Sequence, residues 1–142
     1  MTYKDMLKEM ELRNFDSTIE SLTDLIDADS IKVTKVNYWT MDKSFLNTDI
    51  YLFTDKVVHQ VSINTQTEYN KLMISTRRLK DITKIDHEYV HNIESKLMIY
   101  FDELTAEKEP SIIFDSKSAH QRVQKSYRSE NIELYHFLFE KI

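Results

Sequence analysis

The chain contains no cysteine, no glycine and a single proline, Pro110. Without cysteine there is no disulfide framework, no thiolate zinc or iron–sulfur site and no cysteine nucleophile, a composition that fits a reducing compartment. Without glycine, the loops whose backbone amides close on a phosphate are unavailable. P-loop and dinucleotide-binding chemistry, and the nucleophile elbow of hydrolases, are excluded with them. Long apolar runs are missing too. The longest, residues 97–101, is far too short to cross a bilayer, and no basic-plus-apolar leader precedes the first polar residues. A soluble, cytoplasmic protein is expected.

The 142 residues include 19 basic and 24 acidic side chains, for a net charge of −5, with 41% hydrophobic and 30% charged residues. These proportions are those of a folded globular chain rather than a disordered or coiled-coil one, and the length fits one domain over residues 1–142 with a sizeable core. The shortage of Gly, Ala and Pro beside many Lys, Ile, Asn, Asp and Tyr resembles coding by an AT-rich genome, such as that of a low-GC Gram-positive bacterium or one of its phages.

Residues 2–28 carry apolar side chains at helical spacing. They are Tyr3, Met6, Leu7 and Met10, then Ile19, Leu22, Leu25 and Ile26 after a break near Asn14. Asp16 or Ser17 is the expected cap of the second piece, with Glu20 completing a capping box. From Ile31 the texture changes to β-branched and aromatic segments separated by polar clusters. Strands are expected at 31–40, 49–54, 56–63, 71–75, within 79–88, at 95–102 and at 111–115, with a tight hairpin at Asp55-Lys56. Helix returns after Asp115, with Ser118 and Gln121 as a second capping box. In the final stretch Ile132, Leu134, Tyr135, Phe137, Leu138, Phe139 and Ile142 make an apolar face so wide that substantial burial is expected.

Seven strands closed by an apolar helix resemble the pleckstrin-homology-like superfold, particularly its GRAM and bacterial PH branches. The residues carrying the resemblance are Ile50-Tyr51-Leu52-Phe53-Thr54-Asp55-Lys56-Val57-Val58, Leu79-Lys80-Asp81-Ile82-Thr83-Lys84-Ile85, Lys96-Leu97-Met98-Ile99-Tyr100-Phe101 and the closing helix. The resemblance implies an α+β fold in which a bent antiparallel sheet of about seven strands forms a partly open barrel over residues 31–142. Residues 1–30 precede it as a helical N-terminal extension, and the apolar C-terminal helix packs on the sheet.

Several constellations carry possible chemistry. His87-Glu88-Tyr89-Val90-His91 matches H-E-x-x-H, which on a helix places two imidazoles on one face for zinc with Glu88 as general base. The surrounding residues alternate charged and apolar at strand and turn spacing, and Glu94, Glu107, Glu109 and Glu133 offer no marked third ligand. The segment therefore reads as a polar turn, with a zinc hydrolase through His87 and His91 as the alternative. No cofactor is expected. Residues 116–128 hold four cations, Lys117, Arg122, Lys125 and Arg128, and no acid; on a helical wheel they fall within roughly 140°, opposite Ala119, Val123 and Tyr127. Arg77 and Arg78, with Lys80, make a second basic patch, of the kind that holds headgroups in membrane-binding PH domains. Each patch reads either as an ordinary solvated surface or as a site for an acidic partner or a phosphorylated ligand.

His59, on an apolar strand face, reads as a hydrogen-bonded core residue rather than a ligand, Trp39 and Tyr38 as core or rim residues with an interface role as the alternative, and Glu107 and Glu109 as a solvated turn. The net charge and the lack of an extended basic surface argue against nucleic acid and membrane partners. The expected function is therefore a non-enzymatic module that binds a protein partner, resembling immunity proteins and phage-encoded inhibitors of host defence, with an acidic face covering a basic partner. The alternatives are sequestration of a phosphorylated small ligand and the zinc hydrolase.

Overall fold

The chain begins with a reciprocal cap. The Thr2 hydroxyl accepts a hydrogen bond from the Asp5 amide at 3.1 Å, and the Asp5 carboxylate accepts one from the Thr2 amide at 3.2 Å. Two of the amide donors left over at a helix start are thereby satisfied, and helix α1 (Tyr3–Leu12) follows. The structure is a computed structural model and describes residues 2–42, 45–66, 71–101, 109–119 and 123–142. It divides into two compact units, Met1–Arg77 and Arg78–Ile142.

In the first unit, α1 and α2 (Asp16–Leu25) are separated by Asn14, whose φ of 62° is the left-handed conformation that glycine usually supplies and asparagine tolerates. The expected box between Ser17 and Glu20 does not form. Helix α2 starts at Asp16 with Phe15 as its N-cap, which puts Ser17 already inside the helix. The sequence then enters β1 (Val33–Met41), β2 (Leu46–Phe53), β3 (Val57–Asn64) and β4 (Lys71–Arg78), hydrogen-bonded in that order as a four-stranded sheet. The hairpin at Asp55-Lys56 is present. Thr54 makes it without glycine, its hydroxyl accepting from the amides of Lys56 at 3.2 Å and Val57 at 3.0 Å.

Strand alternation divides this sheet into two faces. Leu46, Ile50, Leu52, Val61 and Ile63 form one core with Tyr3, Met6 and Met10 of α1, Leu22 of α2 and Ile26. Trp39 joins its edge, while Tyr38 is exposed. On the opposite face Asp49 accepts from Asn37 at 3.2 Å, Ser62 at 3.1 Å and Gln60 at 3.4 Å. Burial, reinforced by the Asp49 charge, pushes the Tyr51 hydroxyl beside it up to about 12.

The second unit holds β5 (Ile82–Val90), β6 (Glu94–Phe101) and β7 (Ile112–Asp115) as a three-stranded antiparallel sheet, followed by α3 (Gln124–Lys141). All seven expected strands are present, and the class is α+β with N-terminal helices and a C-terminal helix, the strands being shared between two sheets. No helix among the described residues is long and apolar enough to cross a membrane. The second helical region differs from expectation. Ser116–Ser118 form a single 3-10 turn, and α3 starts at Gln124 with Val123 as its N-cap and no side-chain cap. The predicted box partner Gln121 lies outside the described residues.

Leu22 is fully buried while Leu25, one turn away, is 62% exposed, so the same truncation tests the assignment of faces. Leu22→Ala is expected to lower unfolding stability by about 2–5 kcal/mol, because it leaves a cavity in a packed core. Leu25→Ala should stay within about 0.5 kcal/mol of the parent, both read from urea unfolding monitored by circular dichroism.

Candidate functional site

On β5 the alternation of a strand places His87 and Tyr89 on one face, with Leu97 and Ser95 of β6 as their cross-strand partners. Helix α3 packs on this face through the buried residues Asn131, Leu134 and Leu138. At its centre lies a polar frame. Asn131, fully buried, donates through Nδ2 toward three acceptors: the Phe114 carbonyl at 3.0 Å, the Ser95 hydroxyl at 3.2 Å and the Ser95 carbonyl at 3.3 Å. The Ser95 amide donates to the Ser116 hydroxyl at 3.0 Å. The Ser95 hydroxyl, which receives the Asn131 amide, is also hydrogen-bonded to His87 Nε2, 2.6 Å away. Burial, with His136 adding repulsion, holds the His87 pKa below its ordinary 6.5, which favours the neutral imidazole.

From this frame a chain of rings reaches the surface. His87 lies 5.2 Å from Tyr135 and 5.5 Å from Tyr89, measured between ring centroids. Tyr89 continues to His91 at 6.4 Å, its hydroxyl 3.3 Å from His91 Nδ1. Tyr135 continues to His136 at 5.6 Å and Phe139 at 6.3 Å. The inner rings are held, and the outer ones are open to solvent: Tyr89 is 46% exposed and Phe139 67%. Ile93, 66% exposed, stands at the β5–β6 turn, where Asn92 takes a φ of 62°. The expected burial of the C-terminal apolar face is thus only partial. Leu134 and Leu138 face the sheet, whereas Phe139 and Ile142 remain exposed because α3 covers a single three-stranded face.

The H-E-x-x-H residues meet here in an arrangement different from either sequence reading. Residues 87–90 are strand, not turn, and His91 opens the tight turn. A strand sends Glu88 to the face opposite His87, so the helical geometry the zinc alternative requires is absent from this segment. Among the described residues no group of three His, Cys, Asp or Glu side chains is gathered for a metal. Ser95, although bonded to an imidazole, is fully buried and acts as a bridge between His87 and Asn131.

The predicted basic patches are dispersed. Arg77 and Arg78 are neighbours on β4 and point to opposite faces of that strand. Arg77 is half-buried and acts on Tyr51, whereas Arg78 Nε pairs with Asp81 at 2.9 Å; Lys80 is exposed in the turn that follows. Lys117 sits in the 3-10 turn outside α3 and pairs with Glu94 at 2.6 Å, which raises its pKa. Arg122 lies outside the described residues, as does Glu107, and Glu109 is exposed. Lys125 and Arg128 alone fall on α3, Lys125 exposed and Arg128 donating to the Ile93 carbonyl at 3.4 Å. Lys117 therefore does not share a helical face with Lys125 and Arg128, because α3 starts seven residues after it. His59 is hydrogen-bonded as expected, with Nδ1 2.8 Å from the Thr76 hydroxyl, but it is half-buried rather than a core residue.

Tyr135, Asn131 and Ser95 were not singled out by sequence. Asn131 is the one with a readable signal, a polar residue at the inward spacing of Tyr127, Leu134 and Leu138.

No protein-family model and no curated protein matches the chain. Among solved structures it is similar to the crystal structure of a DUF1696 family protein with a pleckstrin-homology domain from Shewanella loihica PV-4, at 13% identity and a TM-score of 0.49, over 90% of this chain and 92% of that one.

His59 and His87 both have pKa values lowered by burial, so the folded state binds fewer protons than the unfolded chain near their ordinary value of 6.5. Stability should be complete above that value and fall as pH drops through it. The decline of urea midpoints between about pH 7.5 and 5.5 should become shallower in His87→Gln and in His59→Gln, and shallowest in the double variant.

Proposed function

We propose that the chain is a non-enzymatic binding module that recognises a protein partner through the ring array of its second unit. The observation that supports this most directly is the continuity of that array, running from a buried hydrogen-bonded frame at His87, Ser95 and Asn131 out to the exposed rings of Tyr89 and Phe139. Aromatic side chains fixed from beneath lose little conformational freedom on association and bury much area, which is why such residues anchor interfaces. The strand count and closing helix, which resemble the pleckstrin-homology-like superfold, agree with a binding role as fold-level analogy. Within that class, the small acidic chain resembles immunity-type proteins and phage-encoded inhibitors of host defence.

The site differs in charge from the acidic face expected at first. The helical segment 2–29 carries eight carboxylates and three cations, a difference equal to the whole chain's −5, and all eight carboxylates are exposed there. The flank of α3 beside the rings instead presents Lys125 and Arg128.

A Tyr89→Ser, Phe139→Ser double variant with unchanged circular dichroism should lose, by at least about tenfold, the partner that the parent chain retains from extracts of its host. The control Leu12→Ser, Leu25→Ser, which alters exposed leucines of the first unit, should keep that partner. Equal retention by the ring variant would sink the assignment.

A further inference from the structure

Helix α3 carries two stripes. The first, Tyr127, Asn131, Leu134 and Leu138, has the 4-3-4 spacing of one helical face and is buried. The second consists of Lys125, Arg128, Ile132, Tyr135, Phe139 and Ile142, at spacings of 3-4-3-4-3, centred roughly 100° around the helix from the first. Ile132 and Tyr135 are half-buried, while Phe139 and Ile142 are 67% and 57% exposed. This alternation of threes and fours is the seam along which one helix packs against another. The two cations occupy its beginning and the apolar residues its end. The three carboxylates of α3, Glu130, Glu133 and Glu140, all lie off the stripe.

We propose that this outer stripe seats an amphipathic helix of the partner protein, whose apolar residues face Ile132, Tyr135 and Phe139 and whose carboxylates face Lys125 and Arg128. The inference rests on the binding-module reading and names the element the partner supplies. Charge complementarity selects this occupant over a second copy of the chain. Two α3 helices paired antiparallel would lay Lys125 and Arg128 against Phe139 and Ile142, and a parallel pair would lay the cations against each other. Either arrangement buries cations with no carboxylate on the stripe to compensate them. An extended peptide, in turn, has no use for a seam with helical spacing. Arg128 donates to the Ile93 carbonyl at 3.4 Å, which holds its guanidinium at the β5–β6 turn.

A photo-cross-linking residue introduced at position 139, and separately at position 89, in the full chain expressed in its host tests this directly. The segment captured from position 139 should carry apolar residues at spacings of three and four, with carboxylates one or two turns along. Lys125→Glu with Arg128→Glu should weaken that complex at least about tenfold and reduce its salt dependence, and the reciprocal Glu→Lys changes in the captured segment should restore it. A captured segment without helical spacing, capture of another copy of this chain, or capture from position 89 alone would overturn the helical-partner inference while leaving the binding module standing. Absence of any captured protein from both positions would overturn both.

Discussion

The rotation of α3 about its own axis is fixed by one buried amide. Asn131 sits at the centre of the helix's inward stripe and donates to acceptors on both β6 and β7, so turning the helix away would strand an amide and two strand carbonyls out of reach of water. An apolar residue at that position would pack on the sheet with less angular preference, because burial has no direction. The amide supplies one. It selects Tyr127, Leu134 and Leu138 for the core and leaves Tyr135, Phe139 and Ile142 on the flank. Through the Ser95 hydroxyl the same amide is linked to His87, whose ring lies against Tyr89 and Tyr135. The exposed rings thus depend on a polar group that touches none of them.

A second constraint runs through the whole chain. With no glycine, every reversal must be made by residues that carry a Cβ. Asparagine takes the two positive-φ positions among the described residues, Asn14 between the first helices and Asn92 in the β5–β6 turn, since its short polar side chain tolerates the left-handed region. The Thr54 hydroxyl replaces backbone freedom in the β2–β3 hairpin by bonding two successive amides. Register shifts at Asn37 in β1 and Thr83 in β5 bend strands where glycine kinks are common elsewhere. The Asn92 turn closes the hairpin that carries Tyr89, His91 and Ile93.

Much of the fold was legible because its elements rest on local pattern. Val61 and Ile63 alternate, Tyr3, Met6 and Met10 recur at helical spacing, and the return from strand to helix near residue 115 shows as a change of period. The misreadings share a cause. The box expected at Ser17, and the placing of Lys117 on one helical face with Lys125 and Arg128, each needed a helix start correct to within a residue or two, which depends on hydrogen bonds made elsewhere. The H-E-x-x-H match has its zinc-binding geometry only on a helix, and here residues 87–90 of it are strand rather than the expected turn.

The sequence by itself determined the element types, the seven strands, the apolar closing helix and the absence of thiol, disulfide and glycine-loop chemistry, because each follows from side-chain type and spacing along the chain. The tertiary structure alone decided which of the many apolar residues in α3 would stay outside, and that His87, Ser95 and Asn131 would meet. Those three residues span 45 positions of sequence and are brought together by register between β5 and β6 and by the packing of α3, which no local pattern encodes. Exposure is a property of the assembled surface. A sequence shows how much apolar surface a helix carries, and only the packed sheet beneath it shows how much of that surface has been covered.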